Sequence, residues 1–169
     1  MATKATFASE EWVRIVASPM IAGVAITAAD PSGLWGLLRE GLAGGWVLAS
    51  AKQAQDTNAL VKAVVNDITT SETRTATREK VQALFQGAQG TDVKRKAIDE
   101  LRQVSRLLDE KAPADAASFK AWLREVAQKT AEAGQEGGFL GFGGVAVSDA
   151  EKATLGEIDA VLQPGATTS

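Results

Sequence analysis

Apolar positions along this chain recur every three or four residues, the spacing of helices that each bury one stripe. The clearest case is TDVKRKAIDELRQVSRLLDEKAP, residues 91–113. Val93, Ala97, Leu101, Val104 and Leu108 line one face at steps of 4, 4, 3 and 4. Asp92–Lys96, Lys96–Glu100 and Arg106–Glu110 are then expected as i,i+4 pairs on the wet side. Pro113 should stop this helix and start the next, in which Phe119, Trp122, Leu123, Val126 and Thr130 face inward and Gly134 is the stop. Ser148-x-x-Glu151 has capping-box spacing and opens a shorter helix with Leu155, Ile158 and Leu162 on its stripe.

The N-terminal half is less regular. SEEWVRIVASPMIAGVAITAAD is apolar on all sides after Arg14, so it predicts a central helix. Ser9 is its expected cap, Glu10 and Glu11 suit its positive end, and Glu10–Arg14 is an expected pair. Pro19 either kinks this helix or restarts it with Ser18 as a new cap. Asp30-Pro31 opens a second long helix carrying Leu34, Leu38, Leu42, Trp46 and Ala49 on one stripe. Its glycines each cost roughly 1 kcal/mol of helix propensity. Gly41-x-x-x-Gly45 is a small-xxx-small pattern that lets two helices approach closely. Gly41, Gly45 and Trp46 are therefore the candidate self-association surface. Residues 56–90 read as a helical excursion. Asp56 caps a short helix with Leu60, Val61, Val64, Val65 and Ile68, although its β-branched content also suits a strand. A polar stretch follows, then Val81, Leu84 and Phe85 on another short helix ended by Gly87 and Gly90.

The expected architecture is one all-α domain over 1–163 with a disordered tail at 164–169. Two long hairpins joined by a long helical crossover, followed by a short C-terminal helix, is the layout of ferritin-like bundles.

Composition narrows the chemistry. The chain has 169 residues, a net charge of −3, no cysteine, no histidine and no tyrosine. An acidic balance argues against nucleic-acid binding. Without imidazole or thiolate, the commonest transition-metal ligands and the usual neutral-pH base are missing. The longest uncharged run, Ile15–Ala29, is fifteen residues and holds Pro19, whereas a membrane span needs about 20. No signal-peptide pattern opens the sequence, because Glu10, Glu11 and Arg14 fall where its apolar region should start. A cytoplasmic, soluble bundle is the expectation.

EEWVRIVASPMIAGVAITAADPSGLWGLLREG and EGGFLGFGGVAVSDAEKATLGEI resemble a bacterial family of ferritin-like helical proteins, sometimes fused to a DJ-1/PfpI-like domain. The resemblance implies a four-helix-bundle fold and carries no catalytic residue with it. The metal-binding members of such bundles use Glu-x-x-His motifs, which this chain cannot supply.

The remaining candidates divide between structural and functional roles. Glu40, Glu100, Glu125 and Glu132 could in principle hold magnesium or calcium, but the last three lie off the apolar stripes and suit a solvated face. Asp109–Glu110 and Glu10–Glu11 are sequence neighbours near helix ends and suit surface charge rather than paired catalytic acids. Lys94, Arg95, Lys96, Arg102 and Arg106 are interleaved with acids and read as a balanced face. Trp12, Trp35, Trp46 and Trp122 suit core packing, with Trp12 and Trp35 also placed for a binding rim. GGFLGFGG lacks a preceding strand and a lysine, so it is not a phosphate loop. Phe139, Leu140 and Phe142 are expected to fold back on the bundle end; the alternative is an anchor for a partner. No cofactor is expected. The functional expectation is a non-enzymatic protein acting through a protein partner or homo-oligomer. A carrier of a lipid or small apolar ligand between the first two helices comes second. A ferritin-like oxidoreductase comes third and is weakened by the absence of histidine.

Overall fold

A computed structural model describes residues 1–29, 58–136 and 147–163. The regular elements among them are all helical. A short 3-10 turn at Lys4–Thr6 precedes α1 (Ser9–Thr27), α2 (Ala59–Ile68), α3 (Ser71–Phe85), α4 (Thr91–Lys111), α5 (Pro113–Glu136) and α6 (Asp149–Leu162). Gly41, Gly45, Trp46, Phe139, Leu140 and Phe142 lie outside the described residues, as do Trp35, Glu40, Asp56 and the tail at 164–169.

α1 is the axis of the assembly. From Ile15 to Thr27 every residue except Met20 is buried, and the helix packs against all five others. This is the central position its all-round apolar pattern predicts. Pro19 lies inside the helix without ending it. Proline has no N–H to give the carbonyl of Ile15, four residues back. The hydroxyl of Ser18 donates to that carbonyl at 2.6 Å instead. Ser18 therefore mends the ladder rather than capping a new helix. The start also differs from expectation. Ala8 occupies the cap position and Ser9 is already helical; the N–H of Ala8 is taken by the Glu11 carboxylate at 2.8 Å.

Cross-helix contacts fix the directions. Ala2 meets Asp115 at one end, and Gly23 approaches Thr130 further along, so α1 and α5 run parallel. Lys111 reaches Glu11 and Arg14 reaches Glu100, so α4 runs antiparallel to both. Gln163, at the end of α6, lies by Lys120, near the start of α5, and Glu157 pairs with Lys94 near the start of α4. α6 thus runs alongside α4.

The expected stripes of α2, α4 and α5 are buried as predicted. Asn58 caps α2, accepting from the N–H groups of Leu60 and Val61 at 2.7 and 3.2 Å. In α3 the polar stretch is helical from Ser71 onward. Thr73 and Thr77 are buried, and with Val81 and Leu84 they make one stripe at steps of 4, 4 and 3. Small hydroxyl side chains there take the place of the apolar residues that would mark a helix by pattern. Gly87 and Gly90, at φ of 72° and 50°, supply the left-handed backbone for the turn into α4. Gly134 is not a stop, because α5 continues to Glu136. The capping box of α6 forms as expected: Ser148 accepts from the N–H of Glu151, and Glu151 accepts from the N–H of Ser148 at 2.9 Å.

Candidate functional site

Among the described residues, charged groups are drawn into the helix interfaces at several places, among them three that gather more than one partner. The first is Asp67, at the end of α2. One of its oxygens accepts from the Trp12 indole at 2.6 Å, the Thr73 hydroxyl at 2.9 Å and the Lys4 ammonium at 3.2 Å. Trp12 is buried and packs against Phe7, with ring centroids 5.9 Å apart. It belongs to the core and not to a binding rim.

Burial by itself raises the pKa of the Asp67 carboxyl, but the hydrogen bonds from Trp12, Thr73 and Lys4 outweigh it and hold it below its ordinary value of 3.8. Glu11 is likewise held below its ordinary value, first by its hydrogen bond from Lys111 and then by that from Ala8. A carboxylate with a depressed folded-state pKa stabilises the fold fully above its unfolded value, and the gain is lost as pH falls through the folded value. Stability should therefore decline below about pH 4. Asp67→Asn should flatten that acid limb and lower the plateau at neutral pH, which denaturant melts between pH 2 and 7 would read. An unchanged limb would mean that Asp67 is not held by these donors.

The second place is Glu100 on α4. It is buried, and one oxygen meets Arg14 Nε of α1 at 2.7 Å and Lys80 Nζ of α3 at 3.1 Å. This corrects two expectations. Glu100 is not on a solvated face, and Arg14 reaches across to α4 instead of pairing with Glu10. Two more expected pairs on α4 are replaced. Lys96 donates to the carbonyl of Leu84 at 3.1 Å, and Asp92 pairs with Arg95, one residue closer than the expected Lys96; Arg102 pairs with Asp99. α4 is contacted by α1, α3, α5 and α6, so its buried arc is wider than one stripe and takes in position 100.

The third place is Lys120 on α5. Its side chain is only 1% exposed. The ammonium donates to both oxygens of Asp109 at 2.7 Å and approaches the carbonyl of Gln163 at 3.4 Å. The sequence does carry a signal for this lysine. Ala116, Phe119, Leu123 and Ala127 are all buried, and position 120 falls in the same arc at helical spacing. Near the chain start, buried Asp115 accepts from the N–H of Ala2 at 2.6 Å, and its own carbonyl accepts from Asn58.

Of the carboxylates weighed for a cation, the described ones, Glu100, Glu125 and Glu132, do not converge. Glu125 pairs with Lys129 along its own helix, and Glu132 accepts from Gln128. Among the described residues no group of three acids could hold a metal ion. Asp109 and Glu11 are engaged with Lys120 and Lys111 rather than with their neighbouring acids. Among the described residues, the buried polar atoms Thr77 Oγ1 and Trp122 Nε1 find no hydrogen-bond partner. Chemically, each charged cluster joins one helix to another. Among the described residues no helix is long and apolar enough to cross a membrane.

Comparison with protein-family models, with curated proteins and with solved structures gives no match.

Proposed function

We propose that this chain is a ferritin-like helical bundle that acts by associating with a second copy of itself, without catalysing a reaction. The observation that supports this reading best is the fate of the buried and part-buried charge. Glu100, Asp67 and Lys120 are each engaged by groups on other helices, while Asp115 holds the N–H of Ala2 and Glu151 its own helix cap. Catalytic acids and bases work from a cleft where a reacting group can reach them; these groups are spent on holding the fold together. The antiparallel α4–α5 pair is consistent with one hairpin of a ferritin-like layout, and α2 and α3 with its helical crossover.

The association surface is assigned to Gly41, Gly45 and Trp46. Among the described residues Met1 is the one large apolar side chain left exposed, whereas the sequence from 34 to 48 is rich in leucine, tryptophan and glycine. Sedimentation velocity over a concentration series provides the test. Wild-type protein should self-associate, and Gly41→Leu or Gly45→Leu should weaken association about tenfold or more by overpacking the contact. Identical sedimentation and melting temperature in wild type and variants would remove these glycines from the interface.

A further inference from the structure

Lys120 is the buried charge with the most unusual setting. Its partner Asp109 is 42% exposed on its side chain, while Lys120 itself is almost wholly enclosed. The ammonium points between α4, which supplies Asp109, and Gln163, the extended residue that follows the last turn of α6. The C-terminus of a helix is its negative end and favours a cation. Among the described residues, α6 is otherwise held by its apolar stripe, with Leu155 and Val161 packed against the core, and by the Glu157–Lys94 pair near its middle. Its buried residues are Glu151, Thr154, Ile158 and Leu162, and the first of these is used in its own capping box. Ile158 and Leu162 are fully buried, both in the half of the helix nearest Lys120.

We propose that Lys120 and Asp109 form a latch for α6, and that α6 opens from the bundle as a unit when the latch loses its compensating charge. The driving force is desolvation. A buried ammonium with its carboxylate in place is tolerated; one left without it is strongly unfavourable. Lysine can carry its charge back to water by extending along an apolar surface; here the ammonium is enclosed beside Gln163 at the end of α6, and in this proposal movement of that end gives it water. Asp109, being half-exposed, carries no such penalty when Lys120 is removed. The two halves of the pair are therefore unequal, and the inequality can be measured.

Hydrogen exchange of the full chain, read by mass spectrometry on peptides from 149–162 and from α1 and α4, tests this with three variants. Asp109→Asn should speed exchange in 149–162 by about tenfold or more, with α1 and the first half of α4 unchanged, because local opening leaves the rest protected. Lys120→Met, which removes the charge and keeps the length, should speed it much less. The double variant should behave like Lys120→Met, the cure for an unpaired ammonium being to remove it. Wild-type exchange in Asp109→Asn would overturn the latch. So would a uniform acceleration across all helices, or an effect of Lys120→Met as large as that of Asp109→Asn. Should Asp109→Asn not fold, the double variant decides. Exchange in 149–162 within about twofold of Lys120→Met supports the latch, and a double variant that also fails to fold overturns it.

Discussion

Phe119→Ala should lower stability by about 3–5 kcal/mol, the range for truncating a buried phenylalanine. Phe119 has no exposed surface and stands edge-on to Trp122, with ring centroids 5.2 Å apart. Part of the loss is the transfer of the ring out of the core, and part is the cavity it leaves. α5 cannot readily collapse into that space, because Leu123, Val126 and Ala127 already fix it against its neighbours. For a chain of this size the loss corresponds to roughly 6–20 °C in melting temperature. Thermal melts followed by far-UV circular dichroism would measure it. A shift below about 3 °C would mean that the α5 stripe is not a close-packed core.

Glu100→Ala should cost about 3 kcal/mol, toward the low end for breaking a buried ion pair. The low end applies because Arg14 and Lys80 are about one-third and one-quarter exposed, so water offsets part of their repulsion once the carboxylate is gone. The partners should behave differently. Arg14→Met or Lys80→Met leaves Glu100 one cation, and each should cost only about 1 kcal/mol. Removing both strands a buried carboxylate, so the double variant should cost clearly more than the sum of the singles. Urea titrations of the four variants would show the coupling. Additive losses would mean that Arg14 and Lys80 do not share Glu100.

These two sites mark how far the sequence could be read. The stripe containing Phe119 is legible because its period is that of a helix with one buried face, and the structure buries all five residues named on it. The same holds for Val93 to Leu108 on α4 and for the capping box at Ser148 and Glu151. Charged positions are less legible. A single stripe assumes one neighbour, whereas α4 has several, so Glu100 passed for a solvated residue until α1 and α3 were in place. Arg14 could be paired with Glu10 by local spacing alone; its actual partner lies 86 residues away. Thr73 and Thr77 hide a buried face because threonine carries no strong apolar signal. Pro19 left two outcomes open, and a local fact decides between them: the Ser18 hydroxyl reaches the carbonyl that proline leaves unpaired. Lys120 could have been found by extending the α5 stripe one position, but its partner on α4 depends on how the two helices meet.

The measurement that bears most directly on the central claim is native mass spectrometry of the purified wild-type chain under gentle desolvation. Self-association without chemistry predicts a homo-oligomer whose mass is a whole multiple of the chain, with nothing else attached. A monomer carrying one apolar small molecule or one metal ion per chain would contradict it, and would replace the assembly reading with that of a carrier or a metal-dependent protein.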